Sequence, residues 1–359
     1  MGDSIIAASA RRAWTAVLGE VPLDDDENFF EAGGDSITAV ELIMELSYEF
    51  ETTIPVAELF RAPTLGGLVA AVERATADEV PTAHHTTGRT LVRLRRGGAG
   101  RLWCFLPPLS GAVTRYAAMP RLLPPGDAIW AMETPAELSA GGLAHLVDGL
   151  ASRLVREDLG WFQTIVLSGY SLGGVFAHEL AQAVAARLTG PDRPEVVAAL
   201  LDPPDPAEFR PSLTEAFDIF VRVGWRIDKP SDSFVAADGT FELDRVADAA
   251  RAAGTLPVSA PDRELADAWT VYASNAHILD GYVVTPGVAA TYLLQCDDTA
   301  DVPESEWGSG VTAKGAWADA IEPAQVSVLA VDHFAMLEAP NDSVVGRWLA
   351  ATADRRARA

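Results

Sequence analysis

Cysteine, lysine, clustered positive charge and long apolar runs are all scarce in this chain, and each scarcity removes a class of protein. The 359 residues hold two cysteines, Cys104 and Cys296, too few for a disulfide framework. Each lies in an apolar run (LWCF, YLLQC) where a thiol serves as a small buried hydrophobe. Against 51 acidic side chains stand 27 basic ones, nearly all arginine, for a formal charge of −24. That sign argues against a nucleic-acid surface, which needs clustered cations to neutralise phosphates; basic proteins or uncharged substrates are the expected partners. No run reaches the roughly 18 apolar residues of a membrane span, and the first residues lack a basic stretch leading into an apolar core. A cytoplasmic location without membrane contact is the expectation. What is there, 49% hydrophobic and 22% charged, is the composition of a globular protein, and the length suits two unequal domains.

The chain changes rhythm near residue 77. Before it, residues 4 to 18 place Ile5, Ile6, Ala10, Trp14 and Leu18 close to helical spacing, and Gly19 stops the pattern. An acidic loop leads through Phe29 and Phe30 to Gly33-Gly34-Asp35-Ser36, which opens a second helix with an apolar stripe of Ile37, Val40, Leu42, Ile43, Leu46 and Phe50. A short helical turn over Val56 to Phe60 and a last helix from Thr64 to Ala75 complete a small all-α four-helix bundle over residues 1–76. Residues 77–89 are polar, carry proline and glycine, show neither period, and read as a linker. From 90 to 359, short β-rich runs (LVRLRR, LWCFLPP, AIWAMETP, TIVLSGYS, VVAALLD, VAATYLLQC, VSVLAV) alternate with helical patterns. That alternation predicts a mostly parallel α/β sheet. About residues 206–285 interrupt it with Trp- and Ala-rich helical patterns and read as an insertion.

Gly169-Tyr170-Ser171-Leu172-Gly173 follows an apolar strand and opens a helical stretch. A turn this sharp strains the central residue and needs small neighbours two positions away, leaving a serine exposed at a helix start where a developing anion is favoured. A serine hydroxyl needs a base. His84 and His85 lie in the linker, His145 and His178 in helical patterns and His277 in the insertion, whereas His333 directly follows a strand late in the chain. Asp202 ends the strand VVAALLD just before Pro203 and Pro204 and is the expected acid, with Asp297 or Asp298 after YLLQC as rivals; Asp332 adjoins His333 too closely to reach its ring. For the oxyanion, Leu172 supplies one amide. Prolines 107 and 108 have none, so Leu109 is the first donor of the early loop, with Ser110 or Gly111 as alternatives.

Asn28 to Ile37 (NFFEAGGDSI) resembles the attachment motif of peptidyl carrier domains, which implies a 4′-phosphopantetheine arm covalently attached to Ser36; Ser36 or Asp35 could equally be a helix cap. Residues 91 to 355, with GYSLGG, LLDPP and DHFAML in that order, resemble the type I thioesterase domain that ends nonribosomal peptide synthetases. The resemblance implies an α/β-hydrolase fold with a helical lid, a Ser171–His333–Asp202 triad, and release of a carrier-tethered peptidyl thioester by hydrolysis or cyclisation. It also implies an upstream condensation domain and a phosphopantetheinyl transferase as partners, and antibiotic or siderophore biosynthesis as the setting. No metal is called for. His178 departs from the family, where an apolar residue is usual, and Trp225, Trp269 and Tyr272 could line a pocket or form the lid's own core. An editing thioesterase and a non-catalytic docking module are the competing readings.

Overall fold

The computed structural model describes residues 5–49, 54, 56–76, 91–95, 97–98, 100–191, 193–256, 262–303 and 306–356; the expected linker, 77–89, lies outside them. The first domain has four helices: α1 (Ile5–Leu18), α2 (Ser36–Glu49), α3 (Val56–Arg61) and α4 (Leu65–Thr76). Their inward positions recur at helical spacing, so Ala10 and Trp14 of α1, Leu42 and Leu46 of α2, Leu59 of α3 and Leu68 and Val72 of α4 meet in one core. Trp14, Phe29, Phe30 and Phe60 form a chain of ring contacts through it, with centroids 5.1, 5.4 and 5.0 Å apart. Val40, expected in the buried stripe of α2, is 37% exposed; Ala39 takes the inward place. The side chains of Ile37 and Phe50 lie outside the described residues.

The second domain is built on eight strands: β1 (Leu91–Arg95), β2 (Arg101–Leu106), β3 (Ala128–Met132), β4 (Thr164–Tyr170), β5 (Glu195–Leu201), β6 (Ala290–Cys296), β7 (Gly308–Ser309) and β8 (Val326–Leu329). Their order is β1-β3-β2-β4-β5-β6-β8-β7, parallel except at the two edge strands β1 and β7. The helices are α5 (Met119–Leu122), α6 (Ala136–Ser139), α7 (Gly142–Leu154), α8 (Leu172–Arg187), α9 (Leu213–Ile219), α10 (Leu243–Ala252), α11 (Asp262–Ala276) and α12 (Asn341–Arg356). Covered on both faces, the central strands read as unbroken apolar runs, and alternate residues feed opposite cores. Leu102, Cys104 and Leu106 pack on one side; Trp103 and Phe105 pack on the other, with α12. Cys104 and Cys296 are buried and unpaired, and burial pushes the Cys104 thiol up to about 12. β7, a two-residue strand, is too short to show a period and was not expected.

Helices α9, α10 and α11 come from the insertion at about 206–285, with Phe217 and Phe220 fully buried at its centre. Trp269 meets both phenylalanine rings, while Trp225 and Tyr272 meet Phe220. Phe217, Phe220 and Tyr272 belong to the same buried cluster as the strand residues Leu102 and Leu106, with Trp225 and Trp269 half-buried against it. Among the described residues no helix is long and apolar enough to cross a membrane.

Candidate active site

At the end of β4 the chain reverses into α8, and Ser171 at the junction adopts φ 57°, ψ −130°. A side chain in that conformation costs on the order of 1–3 kcal/mol, which the surrounding packing must hold. Glycines permit it: a Cβ on Gly169 would collide with the Gly173 carbonyl, and one on Gly173 would collide with the Leu106 carbonyl. Ser171 N–H continues the sheet ladder by donating to Leu201 O at 2.9 Å. Leu172 is the first residue of the 16-residue helix α8, so its amide is one of those a helix leaves without an internal acceptor. Because Tyr170 pairs with Leu201, Ser171 and Asp202 emerge side by side from β4 and β5.

Asp202 also has a positive φ, 46°, and its carboxylate is fixed from two sides. Oδ1 accepts from Cys296 N–H at 2.8 Å, while Oδ2 lies 2.6 Å from His333 Nδ1. The His333 ring stacks on Tyr170, with centroids 4.7 Å apart, and Tyr170 OH donates to His333 O at 2.8 Å. The imidazole is thus held by a carboxylate on Nδ1, a ring on its face and a bond to its own carbonyl, with Nε2 left for another partner. The rival acids are engaged elsewhere. Asp297 Oδ1 accepts from Thr299 N–H and Oγ–H, bonds that hold its carboxyl below the usual range. Asp298 is exposed, and Asp332 Oδ1 accepts from the amides of Phe334 and Ala335.

The loop after β2 narrows the choice of oxyanion donor. Gly111 N–H donates to Pro108 O at 2.9 Å, so that alternative is spent in a turn, which leaves Leu109 and Ser110. Leu109 O accepts from Asn275 Nδ2 at 3.0 Å. Asn275 belongs to α11, is fully buried, and has an Oδ1 without a partner. One buried amide thus ties the insertion to the loop beside Ser171. Tyr116 makes a second tie: its OH donates to Leu106 O at 2.6 Å and accepts from Tyr170 N–H at 2.8 Å, joining the ends of β2 and β4. Neither residue carries a local sequence signal, since a lone asparagine in a helix or a lone tyrosine in a loop announces no partner.

In the first domain, Ser36 is the first residue of α2 and is exposed. The cap is Asp35, whose Oδ1 accepts from Thr38 N–H at 2.9 Å while its own N–H donates to Thr38 Oγ1 at 2.7 Å. The Ser36 hydroxyl is therefore not spent on capping. Gly34 lets the preceding turn close against the Phe29 ring, where a Cβ would not fit. An exposed hydroxyl at the start of a 14-residue helix fits attachment of a phosphate-linked group.

His178 is 1% exposed, more than a filler of apolar space. Its Nε2 lies 3.0 Å from Thr285 O, Trp317 meets its ring edge-on, and Glu179 is 4.0 Å away. Burial lowers its pKa against the opposing pull of Thr285 O and Glu179. A base whose folded pKa is depressed binds its proton more readily when unfolded, so its contribution is complete above the ordinary value near 6.5 and is lost as pH falls below it. The unfolding free energy measured by urea titration should accordingly fall between pH 7 and 5.5, by up to about 1.4 kcal/mol per pH unit from this group. His178→Leu should flatten that part of the profile; an identical slope would show that His178 does not contribute.

Residues 9–72 match the family described as phosphopantetheine attachment site, and the first domain accordingly carries phosphopantetheine as its covalent cofactor. Enterobactin synthase component F of Escherichia coli strain K12 is 28% identical over 242 residues, covering 66% of this chain and 17% of that protein. Phosphinothricin tripeptide synthetase PhsC of Streptomyces viridochromogenes is 41% identical over 68 residues, covering 19% of this chain and 6% of that one. The chain thus spans about a sixth or less of these relatives. A four-domain nonribosomal peptide synthetase crystallised with AMP and glycine superposes with TM-score 0.58 at 19% identity, covering 97% of this chain and 26% of its own, and shares the fold.

Proposed function

We propose that this chain is the releasing end of a peptide assembly line. Its carrier domain bears the arm on Ser36. Its second domain is a thioesterase of the α/β-hydrolase type with the 206–285 insertion as lid. Ser171, His333 and Asp202 act as nucleophile, base and acid. The observation that supports this most is the 2.6 Å contact between His333 Nδ1 and Asp202 Oδ2, made beside the strained Ser171 turn.

The arm supplies its cargo as a thioester, an acyl group on a good leaving sulfur. Ser171 Oγ gives its proton to His333 Nε2 and adds to the acyl carbonyl. The amides of Leu172 and Leu109 receive the developing oxyanion. When the C–S bond breaks, His333 returns the proton to sulfur and the acyl group remains as an ester on Ser171. His333 next takes a proton from water, or from an amine or hydroxyl of the acyl chain itself, and cleavage of the ester releases an acid or a ring. Asp202 keeps Nδ1 protonated and stabilises the imidazolium in both halves. Peptide delivery falls to an upstream condensation domain and installation of the arm to a phosphopantetheinyl transferase.

A serine-directed phosphonate, read by intact and peptide mass spectrometry, should label Ser171 alone and should fail on Ser171→Ala. Two hydroxyls serve as internal controls. Ser168 is buried and donates to Ala199 O at 2.7 Å, and Ser110 Oγ accepts from Ala112 N–H at 3.3 Å. Label on either of these, or turnover by Ser171→Ala, would overturn the assignment.

A further inference from the structure

The segment that carries Ser36 rests against the second domain. Asn28 Nδ2 donates to Leu94 O of β1 at 2.7 Å, and the buried cluster around Phe29, Phe30 and Phe60 continues into Leu94, Met119 and Leu123. Glu31 faces Arg95; burial raises the Glu31 carboxyl against the pull of that guanidinium. Arg95 is itself clasped by the carbonyls of Pro120, Leu123, Pro124 and Asp127, at the end of α5. Arg121, on α5, donates to Gly33 O at 3.1 Å and stands 3.9 Å from Asp35 Oδ2, with both side chains 38% exposed.

Arg121 is underused by these contacts. A guanidinium has five N–H donors, and among the described residues one of them makes a hydrogen bond, while the approach to Asp35 is longer than the roughly 2.7–2.9 Å of a charge-assisted bond. Ser36 follows Asp35 directly. A phosphodiester on Ser36 Oγ would place a second anion beside the Asp35 carboxylate, in a domain where residues 1–76 hold fourteen acidic and four basic side chains. Like charges this close repel, and an arginine already held beside Asp35 offsets the penalty, while its planar fork suits phosphate oxygens.

We propose that Arg121 is the binding residue for the phosphate at the root of the phosphopantetheine arm, so that loading the arm tightens the contact between the two domains at this face. The proposal rests on Ser36 being the attachment residue. Loading changes the charge on one partner of the contact and leaves the apolar cluster untouched, so the tightening should be electrostatic and screened by salt.

Intact mass spectrometry would first establish the arm on Ser36 of the full chain after treatment with coenzyme A and a phosphopantetheinyl transferase. Amide hydrogen exchange would then compare the apo and loaded forms. Loading should slow exchange about two- to five-fold across residues 28–38 and 119–123, the range an exposed ion pair supports. The slowing should vanish in Arg121→Glu and at high salt, and persist in part in Arg121→Lys. Arg121→Gln serves if the glutamate variant does not fold. Equal exchange in apo and loaded wild type, or slowing that survives Arg121→Glu or Arg121→Gln, would overturn the proposal while leaving the carrier reading intact; absence of the arm from Ser36 would overturn both.

Discussion

Asp202→Asn should lower turnover of both carrier-bound and soluble thioesters by roughly 10⁴-fold at neutral pH, the loss expected when a histidine base is left in the wrong tautomer. An asparagine can keep the shape of the contact at Nδ1, yet its amide neither demands a proton there nor stabilises the imidazolium. The second oxygen matters as well. Oδ1 accepts the amide of Cys296, so an amide flip in the variant would set donor against donor and displace the end of β6. Asp297→Asn and Asp298→Asn should leave turnover unchanged, because Asp297 serves the turn at Thr299 and Asp298 is solvent-facing. Steady-state kinetics on a soluble thioester decides the matter without involving the carrier. A large loss in either later variant, with Asp202→Asn still active, would move the acid to the neighbouring strand.

Ser36→Ala should abolish addition of the phosphopantetheine mass altogether while leaving the first domain folded. The exposed hydroxyl makes no capping bond that the helix needs, so the change should stay within about 0.5 kcal/mol, as for surface substitutions generally. Asp35→Ala offers the converse. It removes the acceptor for Thr38 N–H and should cost about 0.5–2 kcal/mol, the usual loss of a helix cap, while Ser36 remains present. Intact mass spectrometry and urea denaturation of the two variants separate attachment from capping. Retention of the arm in Ser36→Ala would show that another residue carries it.

Legibility from the sequence followed the range of the physics. Periodicity is local, so α1, α2, α4 and the seven longer strands could be placed to within a few residues, and the interruption at 206–285 announced itself as lost strand rhythm. β7 escaped because two residues contain no period. Val40 was misplaced because an apolar side chain looks the same on either side of a helix, and the choice between it and Ala39 is made by what packs opposite. In the candidate site, Ser171 and Asp202 stood out by their position at strand ends. Asn275, Tyr116 and Tyr170 could not, because their partners lie 166, 10 and 163 residues away in sequence and no short-range pattern encodes them. The arginines that meet the first domain, Arg95 and Arg121, carry no local sequence signal for the same reason.

The missing side chain of Gly173 has a consequence for the tolerance of the site. With no Cβ, the first turn of α8 can lie directly on the carbonyls of Leu106 and Pro107, and the amides of Leu172 and Leu109 flank that contact in sequence. With Leu172 and Leu109 in the donor roles proposed for them, their separation is gauged by bare backbone touching backbone, whose repulsion is steep, and not by flexible side chains that could give way. On that proposal the aperture for the oxygen is a rigid die. Under the same proposal, variation in the acyl chain is absorbed further out, in the insertion proposed as lid, while the opening at the reacting carbon keeps one width for every cargo.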